Sequence, residues 1–134
     1  MDAPELPAEL VELIARYDLA FLVSIGESGP HTTPLEPALT GARFRIPAPG
    51  PVTCRNIAAN PAVTLLWPPP RPDTHALIID GHAALEDGAL EVLPSRAVLH
   101  HVYSSGATEQ RCSGCRRFNL TPAHRTGSAT PAFD

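Results

Sequence analysis

The residues best suited to chemistry lie in Thr53-Cys-Arg-Asn-Ile-Ala-Ala-Asn-Pro-Ala-Val-Thr-Leu-Leu-Trp67. Asn60-Pro61 ends a short helix there, because the residue before a proline avoids helical backbone angles, and the apolar run from Ala62 to Trp67 then predicts a strand. A helix start presents backbone N–H groups with no intrahelical partner. With Thr53 and Arg55 beside it, such a start can seat a phosphate group. The extended stretch Pro47-Ala-Pro-Gly-Pro51 delivers the chain to that point. Just upstream, Ala42-Arg-Phe-Arg-Ile-Pro47 alternates Arg43 and Arg45 with Phe44 and Ile46, the pattern of a half-buried strand with two cations on its polar face. That face either binds an anion or is simply solvated. His31, directly after Ser28-Gly-Pro, is either a pocket residue or a polar side chain beside a turn.

Cys112-Ser-Gly-Cys115 has the spacing of a redox pair or of half a zinc site. The strand-to-helix setting of a thioredoxin motif is missing around it. Zinc would need two further ligands, from His100, His101 or His124 or from a second copy of the pair. The plainer reading is a pair of reduced surface thiols, since three cysteines are an odd count and no export signal precedes them. Nucleophile elbows, Walker loops and His-Glu-x-x-His motifs are absent from the sequence, which disfavours hydrolysis.

The elements that must position these residues are short. Leu10, Val11, Leu13, Ile14 and Tyr17 recur at helical spacing, with Glu9 and Glu12 on the other face. Leu19 to Ile25 reads as a strand, and Gly26-Glu-Ser-Gly-Pro30 turns it into a partner running from His31 to about Glu36. Pro34 and Pro37 put that partner on a sheet edge or in a bulge. Two long strands follow, Thr74 to Leu85 and Ala89 to His101, joined by Glu86-Asp-Gly88, and Gly81 within the first allows a bulge or a close backbone approach. Six short antiparallel strands with two small helices describe a closed or nearly closed β-barrel. The division expected is a barrel domain over residues 1–102 and an irregular tail over 103–134 that carries the cysteine pair.

With 134 residues and 43% apolar content the chain is long enough for one core, and a second subunit would help to cover it. Net charge is −4 and the ten basic residues are scattered, so nothing points to nucleic acid or an anionic membrane surface. Acid and proline in the first residues replace the basic and apolar regions of a signal peptide, and the expected location is the cytoplasm. Sixteen prolines limit helix content and cut the chain into short pieces.

The order of these parts, with Ser-Gly-Pro-His-Thr-Thr-Pro, Arg-Phe-Arg-Ile, Arg55-Asn-Ile-Ala-Ala-Asn-Pro-Ala-Val63 and Leu-Ile-Ile-Asp-Gly-His-Ala, resembles the pyridoxamine 5′-phosphate oxidase-like split-barrel family over roughly residues 8 to 101. The resemblance implies a mainly β, six-stranded antiparallel FMN-binding split barrel, assembled as a homodimer with two sites at the subunit interface. Each site would hold FMN or deazaflavin F420 for hydride transfer to or from a small molecule. Carried over by residue, Arg55 and Asn56 fall at the phosphate-side helix start, Arg45 on the preceding strand, and Thr32 and Thr33 on the strand that lines the flavin ring. Trp67 would stack on the ring or a substrate, or else pack in the core or a dimer interface. Some relatives bind haem through a histidine, which makes haem through His100 or His101 a minor alternative; adjacent strand residues face opposite ways, so one of them at most could serve. Thr53 stands where family members commonly carry a lysine, and the helix usual before the last strand is missing. A lost charge-assisted contact weakens phosphate binding by about 1.5–3 kcal/mol. The rival readings are a cofactor-free split-barrel binding protein and a metal- or redox-responsive protein built on Cys112 and Cys115.

Overall fold

A computed structural model describes residues 5–71, 74–102 and 115–120. Helix α1, Ala8–Ile14, begins after Pro7 and buries Leu10 completely. Its trailing residue Tyr17 donates its hydroxyl to the His75 carbonyl at 2.8 Å, which ties the end of α1 to the sheet. Partial burial raises the Tyr17 phenol above its ordinary pKa, in keeping with a neutral donor there.

Strands β1 (Ala20–Gly26) and β2 (Gly29–Leu35) form a hairpin closed by Glu27-Ser28, with Gly29 at a φ of 119°. Gly26 pairs with Gly29, and from that closing pair Pro30 and Pro34 both oppose β1 at alternate positions, four residues apart. Their missing N–H groups therefore fall on one side of β2, the open edge, where no ladder donor is lost. Strands β3 (Ala38–Thr40) and β4 (Arg43–Pro47) pair across Gly41, and α2 (Pro51–Ala59) leads into β5 (Ala62–Trp67). The long strands β6 (His75–Glu86) and β7 (Ala89–His101) meet at Asp87-Gly88, both at positive φ, as the right-handed twist of a two-residue hairpin demands. Strand β8, Arg116–Phe118, adds to β7.

All eight strands join one antiparallel sheet, in the order β2-β1-β5-β6-β7-β4-β3 with β8 on β7. This corrects the expectation of six strands in a closed or nearly closed barrel: the hydrogen-bonded path is open at β2 and β3. Strand β3 escaped the sequence because it is three residues between Pro37 and Gly41. Strand β8 escaped because Arg-Arg-Phe has no period to detect, yet it lies within the segment expected to be irregular and sends Phe118 into the core.

Register assigns the faces, since directly opposed residues share one. Thr33, Leu22, Leu65, Ile79, Ala97 and Phe118 form a row across six strands on the inner face. Leu10 and Ile57 of the two helices join that core, and Trp67 packs its ring 5.5 Å from Phe44. The next row lies on the outer face as Thr32, Val23, Thr64, Asp80 and Arg96. There Thr64 donates to Asp80 at 2.5 Å and Arg96 pairs with the same carboxylate at 2.9 Å. Between Asp80 and Gly81 the register shifts, leaving Ser95 as the extra residue on β7. A Cβ at Gly81 would stand 2.5 Å from the Leu93 carbonyl oxygen, so the close approach read from the sequence is the reason for glycine.

Candidate functional site

Helix α2 starts earlier than the chemistry requires. Gly50 is its N-cap and Pro51 its first residue, where a proline loses no intrahelical bond. Arg55 therefore sits a turn beyond the helix start, which corrects the expectation that the helix start lies beside it. What places Arg55 is the helical repeat: Val52, Arg55, Asn56 and Ala59 fall at i, i+3, i+4 and i+7, one stripe along α2. That stripe and the β1–β2 hairpin, Ile25 to His31, face each other across a cavity of about 550 Å³. The volume lies in the range of small-molecule sites.

The cavity has an identifiable polar content. Arg55 is exposed and makes no ion pair among the described residues. Glu27 at the hairpin tip contributes a carboxylate on the other wall, and His31 contributes an imidazole. Asn56, only 6% exposed, donates its Nδ2 to the fully buried Ser24 hydroxyl at 3.1 Å. Buried polar groups without a partner cost about 1–3 kcal/mol, so this bond is what lets both sit between α2 and β1. The donor set fits a monoanionic or dianionic group at the Arg55 wall: one uncompensated guanidinium, with the acidic Glu27 kept on the hairpin side.

Of the residues singled out in the sequence, Arg55, Asn56 and His31 come together here. The others do not. Thr53 is 2% exposed, turned into the protein and absent from the cavity wall, and Trp67 is 2% exposed against Phe44. Arg45 pairs across the strand with Glu91 at 2.8 Å, and Arg43 is exposed on the same strand. Thr33 lies on the inner face and Thr32 on the outer, so the two cannot line one ring together. Sequence reading missed Ser24 and Gly26. The signal for Ser24 was available, a lone hydroxyl in an otherwise apolar strand, but its partner is 32 residues away.

At the far end of the sheet, His100 Nδ1 lies 3.2 Å from Cys115 Sγ, and the rings of His75 and His101 meet edge to face at 4.9 Å. Cys54 is a free thiol, whereas Cys115 is disulfide-bonded, which corrects the expectation of a pair of reduced surface thiols in the Cys-x-x-Cys segment. Cys112 and His124 lie outside the described residues. Among the described residues no three His, Cys, Asp or Glu side chains cluster as metal ligands. A second cleft, about 360 Å³, separates α1 from β8. Two of its charges pair with each other: Arg116 donates through both terminal nitrogens to Glu9 at 2.6 Å, which holds the Glu9 carboxyl below its ordinary pKa. No helix among the described residues is long and apolar enough to cross a membrane.

Two uncharacterized proteins, one of Mycobacterium bovis and one of Mycobacterium tuberculosis, are each 32% identical to this chain over 108 residues, covering 68% of it and 76% of their own length. No family model matches the chain. Among solved structures, a candidate pyridoxamine 5′-phosphate oxidase from Listeria innocua superposes with a TM-score of 0.59 at 15% identity, over 69% of this chain and 95% of its own. An FAD-binding protein from Mesorhizobium loti gives 0.56 at 15% identity, over 67% and 88%. An F420 reductase gives 0.50 at 19% identity, over 64% and 93%.

Proposed function

Because this chain has the pyridoxamine 5′-phosphate oxidase-like split-barrel fold, we propose that it is an oxidoreductase of that family that uses FMN, or alternatively deazaflavin F420, with the phosphate side of the cofactor held at α2. Arg55 carries the reading. It is an exposed cation without an ion pair among the described residues, on the helix stripe that faces the cavity. Its guanidinium would grip the phosphate by charge-assisted hydrogen bonds, the strongest type available to a side chain. Glu27 on the opposite wall would repel the phosphate, and so favours the ligand orientation that puts the anion against α2. The bound cofactor would accept or deliver a hydride, and the protein would supply binding and orientation. That an FAD-binding protein and an F420 reductase share the fold supports a flavin-type ligand without choosing between them.

The outer sheet face supports a homodimer. Phe21, Leu66, Ile78 and Val98 form an adjacent row of half-buried apolar side chains across four strands, which a second copy would cover. Sedimentation at micromolar concentration checks this, with a single 14.2 kDa species as the contrary result.

A second reading has its own support. Thr53 is buried and Arg45 is committed to Glu91, so Arg55 would act as the sole phosphate cation, and a binding protein that uses no cofactor is the rival. Titration with FMN and with F420, comparing the protein with Arg55→Ala, separates the two. Saturable binding that weakens by tenfold or more in the variant supports the oxidoreductase; absence of binding to both supports the rival.

A further inference from the structure

Arg55 is aimed at the cavity by a helix whose rotation about its own axis must be fixed by something, and its own N-terminus does not do this: α2 has no side-chain N-cap and begins in a proline-rich corner. The buried polar contact between α2 and β1 is the Asn56 carboxamide, which works beside Thr53 and Ile57, the other buried residues of the helix. Its Nδ2 donates to Ser24 Oγ at 3.1 Å, and its Oδ1 packs against the backbone of Gly26. A Cβ built on Gly26 would lie 2.5 Å from Asn56 Oδ1, 3.0 Å from its Cγ and 3.1 Å from its Nδ2. Gly26 has no need of positive φ, since it is not among the residues that adopt it, so the absent side chain serves the carboxamide. Ser24 and Gly26 are two apart on β1 and thus share a face, which makes them the floor and one wall of a slot that Asn56 fills.

We propose that Ser24, Gly26 and Asn56 form a latch that sets the rotation of α2 against β1, so that the neighbouring Arg55 presents its guanidinium to the cavity anion. These are positioning residues, and the proposal rests on the reading of Arg55 as the phosphate contact. Removing Asn56 loosens the rotational setting of α2, with Thr53 and Ile57 still buried, and the exposed Arg55 guanidinium is then held less closely toward the cavity. Adding a methyl at position 26 expels the carboxamide from its slot and breaks the Ser24 bond, with the same result.

The test is a pair of double-mutant cycles on FMN affinity, with thermal stability measured alongside. Loss of one buried hydrogen bond corresponds to about tenfold in an equilibrium constant. Asn56→Ala and Gly26→Ala are each expected to weaken FMN binding about tenfold, and the double variant Gly26→Ala/Asn56→Ala to bind no worse than Asn56→Ala alone. Arg55→Ala, costly in the natural protein, is expected to cost less than threefold in the Asn56→Ala background. A merely structural role would lower the melting temperature without that loss of coupling. Full additivity in either cycle overturns the latch. Amide hydrogen exchange of the ligand-free protein tests it independently of the cofactor: Ser24→Ala and Gly26→Ala should both speed exchange along α2, while Arg55→Ala should not. Unchanged α2 exchange in Ser24→Ala and Gly26→Ala also overturns it. If the natural protein binds neither FMN nor F420, the functional reading fails while the exchange result still decides the latch.

Discussion

Replacing Gly81 by alanine is expected to destabilise the protein more than any other single methyl added at a glycine of the β6–β7 hairpin. The new Cβ would stand 2.5 Å from the Leu93 carbonyl oxygen and 3.1 Å from both the Leu93 carbonyl carbon and Val92 Cγ1, against an ordinary contact that begins at 3.4 Å. The strands would have to part by about 0.9 Å, the difference between 3.4 and 2.5. The obstructing atoms are mostly backbone, and β7 is held by β6, β4 and β8, so it cannot swing aside. Overpacking costs about 1–3 kcal/mol. Stretching the ladder beside the Ser95 bulge adds about 1 kcal/mol. With a urea slope of about 2 kcal/mol per molar, a total of about 3 kcal/mol lowers the midpoint by about 1.5 M at unchanged slope. Gly88→Ala is the internal control. Nothing lies within 4 Å of its Cβ position, and only the positive φ of 80° is penalised, for about 1 kcal/mol or about 0.5 M. Urea unfolding followed by circular dichroism reads both. A midpoint for Gly81→Ala equal to or above that of Gly88→Ala would refute the close-approach argument.

Arg45→Ala is expected to leave FMN affinity within twofold, because Arg45 is spent on Glu91; its pair is 44% and 18% exposed at the two side chains and contributes about 1 kcal/mol or less to stability. A tenfold loss by titration would return Arg45 to the binding site. Tyr17→Phe removes the donor to the His75 carbonyl and should lower stability by about 1 kcal/mol in the same urea assay; no change would mean that water replaces the contact without cost. Acid should loosen β8 from α1. Arg116 lowers the Glu9 pKa on folding, so the contact is fully present above the ordinary glutamate range and is lost as pH falls through the depressed folded value. Hydrogen exchange at Arg116–Phe118 should therefore accelerate in that acid window, and Glu9→Gln should abolish the pH dependence; an identical acid response in Glu9→Gln contradicts it.

The parts of this fold that the sequence disclosed are those whose signals are local. Asp87-Gly88 can only be a tight hairpin, Asn60-Pro61 can only stop a helix, and the alternation of Phe44 and Ile46 with two arginines sets the faces of β4. The site was less legible because its polar partners come from separate strands. Nothing near Arg45 in sequence tells that Glu91, 46 residues away, will neutralise it. Thr53 and Arg55 look equivalent beside a helix start, yet two residues on a helix are separated by about 200°, so one is buried and the other faces the cavity. Thr32 and Thr33 fail as a pair for the analogous reason in a strand. Ser24 and Asn56 were invisible as partners, since only the pairing of β1 with β5 and the docking of α2 bring them together.

The central claim, that Arg55 holds the phosphate of a flavin-type cofactor in the cavity between α2 and the β1–β2 hairpin, is tested most directly by the visible spectrum of the purified protein and of Arg55→Ala after incubation with FMN or F420 and removal of unbound ligand. The account predicts a retained chromophore in the natural protein and its loss in Arg55→Ala at equal folded content. Equal retention by both proteins, or retention by neither, would contradict it.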